Sequence, residues 1–174
     1  MRQKIFVFIS LVMVVSLQVT QASAGGSIKL SGVSFGLGSL IAKGTLTGLG
    51  ETDVAVVLDA SGIPVVTCTN LGGYQAPGQN PPKVSAAGDE SLDGSDPVRK
   101  NGKSPFGVET NDPPPFESGS AGGCPNDNWT ATIDFVYWTT ATITVKSQAT
   151  GAVLLKQDYT CVTTRTTVTC TLKP

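Results

Sequence analysis

The sequence predicts an all-β protein: a two-sheet antiparallel sandwich of immunoglobulin-like type with a long Pro/Gly-rich insertion. Three observations carry that prediction. Apolar and polar residues alternate with period two over several stretches, as half-buried antiparallel strands require. Gly-rich turns separate those stretches. Beyond the first 24 residues no segment shows a helical period. The antibody pattern itself is incomplete, because no Trp lies between Cys68 and Cys124.

Strands are expected near 28–35 and 39–47. In 54–59, Val54, Val56 and Leu58 form one apolar face. A further strand is expected at 63–69. Trp129, Ala131, Ile133, Phe135 and Tyr137 share a face, opposite Thr130, Thr132 and Asp134. Ala141, Ile143 and Val145 oppose Thr140, Thr142, Thr144 and Lys146. Ala149-Thr150-Gly151 suits a hairpin loop before a strand at 153–163, and 167–172 closes the set.

The first 24 residues are expected to be removed. Arg2 and Lys4 form a basic start, IFVFISLVMVVSL an apolar centre, and Ala22-Ser23-Ala24 a small-residue cleavage motif. That order defines a secretory signal peptide, and the apolar run is shorter than the ~20 residues of a membrane span. The mature chain, 25–174, is then expected to be a single exported domain without a membrane span. Its ten basic and thirteen acidic residues give no reason to expect nucleic acid as a partner.

Four cysteines in an exported chain imply two disulfides, with three possible connectivities. A hairpin centred between Arg165 and Thr166 sets Tyr159 opposite Leu172, Cys161 opposite Cys170 and Thr163 opposite Val168. That places a Cys161–Cys170 bond across neighbouring strands. By elimination the other pair is Cys68–Cys124. The segment between those cysteines, 70–123, holds eight of the eleven prolines and ten of the twenty glycines. It is expected as an irregular, tethered surface insertion. The competing expectation is that short strands, at 84–86 and 106–109, belong to the sandwich.

Little chemistry is visible. No histidine occurs, which removes Ser-His-Asp and Cys-His catalysis and His-ligated metals. There is no S-x-x-K or P-loop. Asp89, Glu90, Asp93 and Asp96 cluster in DESLDGSD and are the one candidate Ca²⁺ site, although their spacing fits no EF-hand. The plainer expectation is a solvated acidic loop, with no cofactor. Tyr137 and Trp138 are adjacent and so face opposite ways in a strand. With Tyr137 in the core, Trp138 would be exposed and, with Tyr74, a candidate for stacking on sugars or contacting a protein. The alternative is that Trp138 caps the core at a strand end.

The segments TCTNLGGYQAPGQNPPK, FGVETNDPPPF and GCPNDNWTATIDFVYW together resemble stretches of small secreted bacterial β-rich proteins of uncharacterised function. The likeness spans 44–161. It implies an exported, self-contained domain and brings no activity or site residue with it. The expected function is a secreted, non-enzymatic β-sandwich that serves the envelope or binds a surface protein or glycan. A carbohydrate-binding module using Trp138, Tyr74 and the acidic loop is the alternative, and a Ca²⁺-dependent hydrolase a weaker one.

Overall fold

The computed structural model describes residues 27–95 and 102–174. The expected signal peptide lies outside them. Two antiparallel sheets pack face to face. The smaller holds β1 (Lys29–Gly36), β2 (Ile41–Thr47) and β6 (Lys103–Glu109), in the order β1-β2-β6. The larger holds β3 (Val54–Asn70), β4 (Gln75–Pro77), β5 (Val84–Leu92), β7 (Trp129–Ser147), β8 (Val153–Thr163) and β9 (Val168–Leu172). Its order is β4-β3-β7-β8-β9, with β5 also paired to β3. No α-helix occurs among the described residues; a 3-10 turn spans Ser120–Gly122.

Two pairs of expected strands are in fact continuous. The runs at 54–59 and 63–69 form one 17-residue strand, β3. The intervening Gly62 and Pro64 look like breakers but each has a local reason. A Cβ on Gly62 would lie 2.6 Å from the Tyr137 carbonyl oxygen and from Val136 Cγ1. Pro64 falls between the last β5 partner, Gly62, and the first β4 partner, Thr67. There β3 has a strand on one side only, which accommodates a residue without an N–H.

The other continuous strand is the 19-residue β7, which runs the length of β3 with two β-bulges. Val65 pairs with Phe135 and Val66 with Ile133, leaving Asp134 extra. Ser61 pairs with Thr140 and Gly62 with Trp138, leaving Thr139 extra. Each extra residue reverses which side chains face inward. Between the bulges Val136 and Trp138 are buried, and beyond them Ala141, Ile143 and Val145 are. The single face expected for 129–137 therefore ends at Ile133. Phe135 and Tyr137 turn outward, with their rings 5.0 Å apart in an edge contact.

The segment 70–123 is not an irregular insertion. It supplies β5, paired with β3 along Val54–Gly62, and β6, paired with β2. Val84, Ala86, Phe106 and Val108 enter the core. Weak composition hid them for physical reasons. Pro105 is tolerated because β6 pairs only with β2. The inward side of β5 runs Val84, Ala86, Gly88 because the end of β6 crosses over it; a Cβ at Gly88 would sit 1.8 Å from the Glu109 carbonyl oxygen. The Asn111 amide donates to the Ala87 carbonyl at 2.9 Å, and the Gly107 amide to the Glu90 carboxylate at 2.7 Å. These bonds sew the two sheets together along one side.

Two hydrophobic cores result. The main one fills the space between the sheets, with Trp138, Leu40, Leu46, Leu58 and Ile143 among its largest members. The satellite lies under the far end of the β3–β7 ribbon. There Val66, Cys68 and Cys124 are buried against Phe116, Trp129, Ala131 and Ile133. Cys68 and Cys124, 5.6 Å apart at Cα, are disulfide-bonded, so the bond pins the 111–128 connection over the ribbon. Cys161 and Cys170 form the second disulfide, across the β8–β9 hairpin, in the register Tyr159–Leu172, Cys161–Cys170, Thr163–Val168.

Candidate functional site

The sequence-predicted site residues do not assemble. Trp138 is 1% exposed and belongs to the main core. Its expected exposure rested on an unbroken alternation through Tyr137, and the bulge at Asp134 inverts that order. Tyr74 is exposed, beside Leu71, at the β3–β4 hairpin tip. That tip is held by Asn70, whose side-chain oxygen accepts from the Gly72 and Tyr74 amides at 2.9 and 3.0 Å. Asn70 pairs with Trp129, nine residues before Trp138, so tip and indole lie roughly 30 Å apart along the strand.

The acidic group is dispersed as well. Asp89 and Glu90 are consecutive in β5 and point to opposite faces. Glu90 accepts from β6, as above. Asp93 accepts from the Ser95 amide and hydroxyl at 2.7 and 2.8 Å. Asp96 lies outside the described residues. Asp93 shares a shallow depression with Glu51 and Asp53 instead, where Asp53 accepts from the Gly94 amide at 2.5 Å. Among the described residues no group of three His, Cys, Asp or Glu side chains is placed to hold a metal ion.

What the fold does bring together lies around the bulged stretch of β7. On the outer face, Ile63 pairs with Tyr137 and Val65 with Phe135. Ile63 is 46% and nearby Val162 of β8 70% exposed, so an apolar and aromatic strip faces solvent. Beside it runs a row of hydroxyls in register across five strands: Ser85, Ser61, Thr140, Thr160 and Thr171. The short side chains leave a shallow groove of about 390 Å³ near Ser85, Ser61 and Thr140, bordered by Asp59.

A second concavity opens at the edge of β7. This strand pairs with β8 only from Thr140 to Lys146; among the described residues its first ten residues have β3 alone as a partner strand. The open edge fronts a cleft of about 310 Å³. Four consecutive residues, Ile133–Val136, line it, so the strand presents its edge there and not one face. Trp138 forms its inner wall, and its Nε1 donates to the Gly38 carbonyl across a long 3.5 Å. Asp134 and Asp112 also line it. Asp134 accepts from the Thr67 hydroxyl at 2.5 Å and Asp112 from the Ser39 hydroxyl at 3.1 Å. Neither carboxylate stands out in the sequence as a site residue. Asp134 gave no local signal, because it continues the polar positions Thr130 and Thr132 of an alternating strand.

These features define the class: an all-β, two-sheet protein with two disulfides, two of whose concavities lie along a bulged strand. No known family model, curated protein or solved structure matches the chain.

Proposed function

We propose that this protein is an exported binding module that acts by contact with a surface partner and not by turnover. The observation that carries this reading is the outward turn of Phe135 and Tyr137 between two bulges, beside Ile63 and Val162. Bulges commonly re-aim side chains at functional positions, and exposed apolar patches mark contact sites. The two disulfides suit an oxidising, extracellular setting, and the leader sequence supports export. No helix of the described residues is long and apolar enough to cross a membrane. The test is retention of the purified protein on isolated envelope material. A variant carrying Ile63→Ser and Val162→Ser, both exposed, should lose at least tenfold in retention while keeping its melting temperature. Equal retention would refute the outer face as the contact.

Glycan binding is the second reading, favoured by the hydroxyl row and its groove. Sugars present apolar C–H faces and hydroxyl edges together, and the apolar strip next to the hydroxyl row offers both complements. In this form the module would use Ser61, Thr140 and Tyr137 in place of Trp138 and the acidic loop. Array binding abolished by Tyr137→Ala would select it.

A further inference from the structure

We infer that the cleft at the open edge of β7 receives a lysine-type ammonium side chain from an extended peptide segment of the partner. This rests on the reading of the protein as a contact module and names the partner chemistry at one part of it. Three observations converge. The first is the edge itself. A strand without a neighbour offers unpaired backbone groups, which an extended segment can pair while its alternate side chains enter pockets. β7 offers such an edge where Ile133–Val136 front the cleft.

The second is charge. Asp134 and Asp112 line the cleft, and among the described residues no Lys or Arg does. Each carboxylate accepts one hydroxyl hydrogen bond, from Thr67 and Ser39, and a carboxylate has about four acceptor positions. Both therefore keep acceptor capacity for an ammonium group. The third is the wall. Trp138, Ile133 and Pro113 supply apolar and aromatic surface for the methylene stem, and about 310 Å³ suits one side chain with its flanking backbone. An anionic side chain would meet two carboxylates there, and an apolar one would leave their remaining acceptor positions unfilled, so neither is favoured.

The probe is N-acetyl-lysine N-methylamide, which carries the ammonium stem and two backbone amides. Its norleucine analogue lacks only the charged end. Titrated to millimolar concentration into ¹⁵N-labelled protein, the lysine probe should shift amides of 133–138 and of Ser39 and Asp112. The norleucine analogue should bind at least tenfold more weakly. Asp112→Asn and Asp134→Asn keep an acceptor for Ser39 and Thr67, so the fold is preserved; each should weaken the lysine probe at least fivefold. The inference is overturned if both probes bind alike, if the Asn variants bind as the parent does, or if shifts fall on Glu51, Asp53 and Asp93 instead. Absence of any shift also overturns it. The Ile63→Ser, Val162→Ser variant separates this outcome from the broader one: it should bind the probe normally even as it loses envelope retention.

Discussion

The two ends of the β3–β7 ribbon solve the same problem differently. At the end that includes Trp138, the ribbon is covered by a second sheet and burial is extensive; the Cys161–Cys170 bond packs there too, but it ties neighbouring strands of one hairpin. At the Trp129 end there is no second sheet. A connection with one 3-10 turn lies over the ribbon, and the buried hydrophobic cluster there is Val66, Cys68 and Cys124. A core that small supplies little hydrophobic stabilisation, and the disulfide makes up the difference by removing loop entropy from the unfolded chain. Extensive burial dominates at one end, and a long-range covalent bond carries more of the load at the other.

The strongest way to break that contrast is Trp138→Ala. Truncating the largest fully buried side chain should cost about 3–5 kcal/mol by urea unfolding. Trp129→Ala, in the half-buried satellite, should cost less than half as much. Comparable losses would mean that the two cores stand on an equal footing.

Removing the Cys68–Cys124 bond with paired Ser substitutions ranks next. Its chain-entropy contribution is about 4 kcal/mol as an upper guide for a separation of 56 residues. Much of that loss should be local. Amide exchange should accelerate in 66–70 and 129–133, while 54–60 and 141–145 stay protected. Uniform acceleration would show that the satellite unfolds only with the whole.

A smaller effect separates the ends by pH. Hydrogen bonds from the Ser120 hydroxyl, the Ser120 amide and Ser118 hold the Asp127 carboxyl below the usual carboxylate range. Its contribution is complete above about pH 4 and is lost as pH falls through the lowered folded value. Burial pushes the Tyr159 phenol up. Its contribution is complete below about pH 10 and is lost as pH rises through the raised folded value. Acid should therefore loosen the satellite and alkali the main core. Asp127→Asn should flatten the acid limb of the stability profile and Tyr159→Phe the alkaline limb; the reverse assignment would count against the two-core picture.

Much of the fold was legible because burial on one side writes a period of two into the sequence. The β8–β9 register could be read residue by residue for that reason. The misses share one cause. Where the structure needed small or irregular residues, that period faded: Gly88 under the crossing of β6, Pro105 on an edge, Gly62 against Val136. The candidate site was less legible still. The exposed reading of Trp138 comes from counting alternate residues across Asp134, against the competing reading that sets it on the core; a bulge is set by how β7 pairs with β3, which is not local to either segment. Asp112 and Asp134, 22 positions apart in the chain, come to line one cleft through the fold alone.

The two bulges of β7 have a consequence best put in the language of reading frames. β7 is two residues longer than β3, 19 against 17, and Asp134 and Thr139 are the surplus. Each acts as a single insertion that throws the inside–outside code out of frame, and the second restores what the first disturbed. With both struck out, the inward letters run Trp129, Ala131, Ile133, Val136, Trp138, Ala141, Ile143, Val145 without a break. The strand thus carries a regular message with two inserted characters. Those characters lengthen it against its partner and bend the ribbon at the point where Phe135 and Tyr137 meet water.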